Sequence, residues 1–478
     1  MFKKEIVIFF ISLFILYVYF INHYSFHSKI PALLLTKSLI DRKTFNIDPY
    51  VIHTDVSYKD GHFYSGLAPF TSFFAIPSYL ISKIFFKIFP EKLKFKIYNL
   101  IEKQNQFFLK NPGRYGNFFL SYPEPELRLI LILTTLIFLI SFIIPLSLYQ
   151  NYLYLKIVYF EKERLDLLYP LLFAITSNLF FSSTTIITQG ISSSLIFISF
   201  YFLFYEKNLL LSGFLSGLAI GFDYPSFIYY IIFLIYLFLK NKRKILPFIT
   251  GSLLPITALS LYHTFVFGAP HLTPYHFRYE VTKHWHESGY MGIDFRNIKE
   301  IFPSLFSINY GIIPHNLFIL ALLINFKKII KIENFKFIII IILTSFFVCV
   351  FTGKINYGGG YPIPKFFLPA IPFLYLLLLK CEKNFLFYSS LILSFIINLS
   401  IVMYAGIEYS PTVLKFFLIF KKGLTNYTFI NLEEYIKLPF ILKIFINLLT
   451  LFVLILPFYI SKKTVKNNFL RERKVLKN

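Results

Sequence analysis

Runs of apolar residues close to or above the roughly 18 needed to cross a bilayer recur along most of this chain, and they restrict its fold more than any other feature. A segment lying in hydrocarbon must satisfy its own backbone hydrogen bonds, so a chain made of many such runs folds as a bundle of helices. The runs fall at approximately 6–22, 128–149, 167–185, 188–206, 208–222, 225–240, 245–266, 310–327, 336–353, 366–381, 385–403 and 438–460. They predict an all-α, polytopic membrane protein of about twelve transmembrane helices, with residues 1–478 forming a single integral membrane domain. The opening "MFKKEIVIFFISLFILYVYFINHY" has the basic end of a signal peptide but no small-residue cleavage site, and it is long enough to span, so it reads as a retained first helix.

The formal net charge of +24 would point to nucleic acid in a soluble protein. Here many of the cations sit in short segments between apolar runs, where they report topology instead. With the N-terminus inside, Lys240 to Lys244, Lys327-Lys328, Lys380 with Lys383 and the basic tail 461–478 all fall on the cytoplasmic side. This orientation requires the apolar but Pro- and Lys-interrupted segment 67–89 to lie in the outer interface, because counting it as a span would turn every cluster outward. Residues 23–127 then form one large external loop; 267–309 and 353–365 are further external loops, and 404–437 is long but chemically bland. The excess of Phe, Ile, Lys, Tyr and Asn fits an AT-rich genome, so the aromatic abundance is not by itself read as a binding surface. Cys349 and Cys381 lie in or beside apolar runs without metal-ligand spacing, which argues against a disulfide framework or a zinc site.

Several short motifs carry a resemblance. "LLLTKSLIDRKTFNIDPYVIHTDVSYKDGHFYSGLAPFTSFFAIPSYLI" (Leu33 to Ile81) resembles the first outer loop of bacterial relatives of protein O-mannosyltransferases and lipid A aminoarabinose transferases. "PEPELRLILIL" resembles the entry to their second span, "FGAPHLTPYHF" a turn after a middle helix, and "YGGGYPIPKFFLPAIPFL" a late Gly- and Pro-rich element. The layout, with a first helix, a long outer loop containing an interfacial helix and then many spans, is similar to the GT-C class of membrane glycosyltransferases. The chain departs from the group at one place: where many members carry an acidic pair just after the first span, it reads Ser28-Lys29.

The resemblance implies an inverting glycosyltransferase that moves a sugar from a polyprenyl-phosphate donor to a hydroxyl of a lipid, glycan or protein. Its expected location is the outer face of a bacterial cytoplasmic membrane, multi-pass, with both termini cytoplasmic and no nucleic-acid partner. Such a transfer needs a carboxylate to take the nucleophile's proton, whereas cations around the leaving phosphate remove the need for a general acid. With the acidic pair missing, the expected catalytic carboxylates are Asp55 and then Asp48, while Asp60, before Gly61, is first of all a turn former. His53 is a partner for Asp55 or for phosphate, and Tyr64 and Ser65 offer hydroxyl donors. Arg278, Lys283 and His284 in "PYHFRYEVTKHWHE" suit an anionic ligand.

In "GKINYGGGYPIPK", Lys354 and Lys365 flank three glycines able to approach a phosphate, with Tyr357 and Tyr361 beside them; Lys365 stands where the resembling group has Arg. The His-x-His spacing of His284 and His286 with Glu287 is compatible with a divalent metal but is a weak signal, and no cofactor is called for. Gly213, Gly217 and Gly221 share one helix face, a spacing for close helix packing, and Asp223 just beyond them is a carboxylate at membrane depth that needs a partner. The competing classes are a catalytically inactive relative that only binds polyprenyl-linked substrate, and a transporter or flippase. The latter should show intramembrane charges and an internal repeat, and few intramembrane charges and no convincing repeat are evident in the sequence.

Overall fold

Helical backbone satisfies the apolar segments throughout the computed structural model, and one short β-hairpin interrupts it. The structure describes residues 2–21, 26–48, 55–110, 124–279, 283, 286–287, 289, 292–332, 334–352, 363–404, 417–426, 429 and 439–475. Among the described residues, four helical runs are long and apolar enough to cross a membrane: Pro125–Lys162, Lys242–Phe267, Phe385–Tyr404 and Phe440–Thr464. Five shorter apolar helices accompany them: Thr188–Phe204, Leu209–Phe222, Ser226–Lys240, Phe335–Phe351 and Lys365–Leu378. The chain is therefore an α-helical protein with the helices of a membrane protein.

Two of the apolar runs are broken. Segment 167–185 divides into Leu168–Ile175 and Leu179–Thr184, and segment 310–327 into Ile312–His315, Ile319–Ile324 and Phe326–Ile329. Interrupted backbone at such depth is tolerated where protein surrounds it. Thr176, Ser177 and Asn178 at the first break are all buried, as are His315 and Asn316 at the second. Asn398 Nδ2 donates to the His315 carbonyl at 3.0 Å, so a neighbouring helix accepts the loose end of that break. The first long run bends differently: Pro145 has no N–H to continue the helical ladder, and the turn Leu139–Ile143 just before it widens to π geometry.

The Thr188–Phe204 helix is the centre of the bundle, since nearly all its residues are buried on every side. Its serines tie it to its neighbours: Ser193 Oγ donates to the Leu368 carbonyl at 2.9 Å, Ser194 Oγ to Gln150 at 2.8 Å, and Ser199 Oγ to the Ser212 carbonyl at 2.8 Å. Leu209–Phe222 in turn presses against Ile245–Phe267 through its glycine stripe. A Cβ at Gly213 would lie 1.9 Å from the Phe248 carbonyl oxygen, and one at Gly251 would lie 1.9 Å from the Leu210 carbonyl oxygen. The two backbones thus touch at both glycines, and a Cβ at Gly221 would strike the Phe70 ring at 2.1 Å.

The 67–89 segment forms two helices, Phe70–Phe74 and Ile76–Ile88, and the second is inside out relative to a soluble protein. It buries Ser78, Tyr79 and Ser82 while exposing Leu80, Ile81, Ile84, Phe85 and Ile88. An apolar surrounding such as lipid makes that orientation favourable. Asp41 anchors its polar side, accepting from Tyr79 Oη at 2.6 Å and Lys83 Nζ at 2.8 Å.

A short hairpin stands within the otherwise helical structure. Strands β1 (Val56–Lys59) and β2 (His62–Ser65) pair antiparallel from Val56 with Ser65 to Lys59 with His62. Asp60 and Gly61 turn between them with φ of 49° and 82°, the left-handed pair that a two-residue turn of this kind requires. An Asp-Gly dipeptide between two four-residue strands is a recognisable hairpin signal, and the apolar runs around it mask it.

The glycine contacts generate a direct test. Gly213→Ala and Gly251→Ala should each lower the stability of the detergent-solubilised protein by about 1–3 kcal/mol, the usual cost of overpacking, despite alanine's better helix propensity. A thermal midpoint that stays level or rises in both variants would refute the close approach.

Candidate functional site

The hairpin holds Asp55 at its base. Gly66 N–H donates to the Asp55 carbonyl at 2.8 Å just beyond the last strand pair, which fixes the backbone from which the carboxylate projects. A second segment closes on the hairpin's edge: Tyr279 N–H donates to the Val56 carbonyl at 3.2 Å, Arg278 bridges to Ser57, and Ser57 Oγ donates to the Pro274 carbonyl at 2.7 Å. These backbone bonds aim the Arg278 side chain inward, where it is 3% exposed, and its Nη1 reaches Asp55 Oδ1 at 3.2 Å. The guanidinium also lies over the Tyr275 ring at 5.0 Å. Glycine is required at 66, because a Cβ there would come within 2.4 Å of Arg278 Nη1 and 2.7 Å of the Asp55 carbonyl oxygen.

Four more side chains complete a charged cluster. Asp223 ends the Leu209–Phe222 helix, Gln189 stands in the first turn of Thr188–Phe204, Lys29 in the first turn of Phe26–Lys37, and Lys365 opens the 3-10 turn Lys365–Ala370. Asp223 is 5% exposed and accepts from Gln189 Nε2 at 2.8 Å. Burial pushes its carboxyl up to about 6, against the opposing pull of Lys29, Lys365 and the Gln189 hydrogen bond. Lys365 lies within the same field. Burial brings its ammonium down to about 8, Lys29 and Arg278 push the same way, and Asp55 and Asp223 oppose them. Lys29 itself is 4% exposed. The cluster thus sets three cations, Lys29, Arg278 and Lys365, against two carboxylates, Asp55 and Asp223. A surplus of positive charge at low exposure attracts an anion.

Aromatic side chains wall one side. Tyr275 stacks on His286 at 4.5 Å between ring centres and meets Tyr224 edge-on at 5.3 Å. Tyr224 Oη donates to His263 Nε2 at 2.9 Å, a direction fixed by the other ring nitrogen, whose 3.1 Å contact to the Pro270 carbonyl requires Nδ1 to carry the proton.

Of the residues singled out in the sequence, Asp55, Arg278 and Lys365 come together. Asp48 is occupied elsewhere: Oδ1 accepts from Phe63 N–H at 2.9 Å and Oδ2 meets His62 Nδ1 at 2.7 Å, so it braces the hairpin. Asp60 is 79% exposed in the turn beside Lys59 at 3.4 Å. Ser65 is buried and its Oγ accepts from Leu67 N–H at 3.4 Å, while Tyr64 packs on Phe267 at 5.9 Å. Lys283 is exposed and pairs with Glu287 at 3.5 Å. His53, His284, Lys354, Tyr357 and Tyr361 lie outside the described residues. Sequence reasoning passed over Lys29 and Gln189 as ligand contacts, although a lone lysine opening the otherwise apolar stretch "KIPALLL" was the available signal for the first. Among the described residues no three of His, Cys, Asp and Glu gather as a metal-binding set.

No family model, no curated protein and no solved structure matches this chain. The cluster's chemistry therefore rests on its own geometry.

Two variants probe that geometry. Arg278→Gln should lower stability by about 1–3 kcal/mol by breaking a partly buried ion pair. Gly66→Ala should cost a similar amount by displacing the same guanidinium. In a double-mutant cycle on thermal midpoints the two should fall well short of additive, whereas strict additivity would show that Gly66 does not act through Arg278.

Proposed function

We propose that this chain is a GT-C-like membrane glycosyltransferase of about twelve spans, which moves a sugar from a polyprenyl phosphate to an acceptor hydroxyl at the outer face of a bacterial cytoplasmic membrane. The observation that carries the reading is the convergence of buried Arg278, Lys29 and Asp223 with half-buried Lys365 and Asp55. A phosphate in that cluster is neutralised by fixed cations, so the glycosyl–phosphate bond breaks without a general acid. One of the two carboxylates takes the proton of the attacking hydroxyl.

The arrangement of charge along the bundle supports the outward placement. The Lys365–Leu378 run begins in the cluster and ends just before Lys380, which pairs with Glu161 at 2.7 Å; nearby, Lys383 pairs with Asp166 at 3.4 Å and Lys328 pairs with Glu382. Ser226–Lys240 likewise begins beside Asp223 and ends at the Lys240 to Lys244 cluster. The candidate site and the basic ends therefore lie at opposite ends of the same helices, roughly 20 Å apart along the axis. By the positive-inside rule the site faces outward. The inside-out Ile76–Ile88 helix fits beside it in the interface, where a polyprenyl chain would lie.

Transfer of labelled hexose from undecaprenyl phosphate by the purified protein, with envelope membranes as acceptor, tests the reading, together with mass spectrometry of envelope lipids and glycans with and without the gene. Lys365→Gln should raise the donor KM by about tenfold or more, the loss expected for one charge-assisted contact. Because Lys365 must be protonated to hold phosphate, kcat/KM for the donor should fall as pH rises through about 8, and this limb should disappear in the variant. No transfer by the wild type and an unchanged envelope would refute the proposed activity.

A further inference from the structure

We propose that Asp223, rather than Asp55, is the carboxylate that takes the acceptor's proton, an inference that rests on the transferase reading above. The two carboxylates differ in what holds them. Asp55 already carries a guanidinium on Oδ1 at 3.2 Å, a charge-assisted bond that commits this carboxylate to holding Arg278. Asp223 has a neutral partner, the Gln189 amide at 2.8 Å on Oδ1, and is buried at the end of its helix. Among the described residues, the groups that act on it from the surrounding elements are Lys29, Lys365, Gln189 and the phenols of Tyr229 and Tyr275. Both lysines act on it through their charge and favour its ionised form. That combination leaves a carboxylate ionised at neutral pH yet basic enough to accept a proton, which is the poise a general base needs.

The step balances as follows. The acceptor O–H gives its proton to Asp223 while its oxygen forms a bond to the sugar's anomeric carbon. The anomeric C–O bond to phosphate breaks, and its electron pair leaves with the polyprenyl phosphate, which Arg278, Lys365 and Lys29 hold. Asp223 then returns the proton to solvent. Asp55 positions Arg278 for the phosphate.

Purified wild type, Asp223→Asn, Asp223→Glu, Lys29→Gln and Asp55→Asn, assayed with undecaprenyl phosphate carrying a labelled hexose, decide between the carboxylates. Asp223→Asn should lose at least about a hundredfold in kcat, the ordinary contribution of a general base, with donor KM changed by less than about threefold, and Asp223→Glu should recover part of it. In the wild type kcat should fall as pH drops through about 6, since the base must be ionised. Lys29→Gln should move that limb to higher pH, because the lysine favours the ionised carboxyl; a residue serving only packing would leave it in place. Should Asp223→Asn fail to fold, the Lys29→Gln shift and an infrared titration of the wild-type carboxyl still decide. A wild type that transfers sugar while Asp223→Asn keeps its rate, or whose acid limb moves only with Asp55→Asn, overturns the assignment and leaves the transferase reading standing. A wild type that transfers nothing overturns both.

Discussion

Ionised groups are costly to withdraw from water, each by several kcal/mol after relaxation, unless opposite charges and hydrogen bonds accompany them. Lys29, Asp55, Asp223, Arg278 and Lys365 help one another meet this condition, reaching one region from five different stretches of chain. The Phe26–Lys37 helix, the hairpin base, a helix end, the edge segment of the hairpin and the start of a late helix must all be in place together. The local fold around the site follows from that requirement. The hairpin holds Asp55 beside Arg278, and the bonds of the 274–279 segment to its edge fix the direction from which the guanidinium arrives.

The bundle behind the cluster supplies rigidity. Small residues let helices touch backbone to backbone at Gly213 and Gly251, and serine hydroxyls on the central helix bond to neighbouring carbonyls where no water is available. Asp223 and Gln189 sit at the ends of two helices locked in this way, so the orientation of the carboxylate is set by packing far below it. The proposed chemistry needs that: a base displaced by even about 1 Å loses much of its effect.

Much of the architecture was legible in the sequence, for specific reasons. Apolar run length gave the helices, and the interruption of 67–89 by Pro69, Pro77, Lys83 and Lys87 falls on a segment that folds as two helices divided at Ala75. The glycine spacing at 213, 217 and 221 indicated the tight crossing, and the Asp60-Gly61 dipeptide indicated a turn, although not the strands it joins. The breaks at Thr176–Asn178 and around His315 were illegible, since hydropathy does not record whether a backbone carbonyl finds a neighbouring amide.

The sequence alone determined that the chain is helical, apolar and basic at its loops, because those properties depend on local composition and on neighbours one or two turns away. It also supplied Asp55, Arg278 and Lys365 as candidates, since each stood in a polar stretch between apolar runs. Only the tertiary structure decided that these three meet, that Asp48 is spent on the hairpin, and that Lys29 and Asp223 complete the cluster. Asp55 and Arg278 are 223 positions apart in the chain and 3.2 Å apart in space. No local pattern encodes such a contact; it arises when the bundle closes and brings the hairpin base against the 274–279 segment.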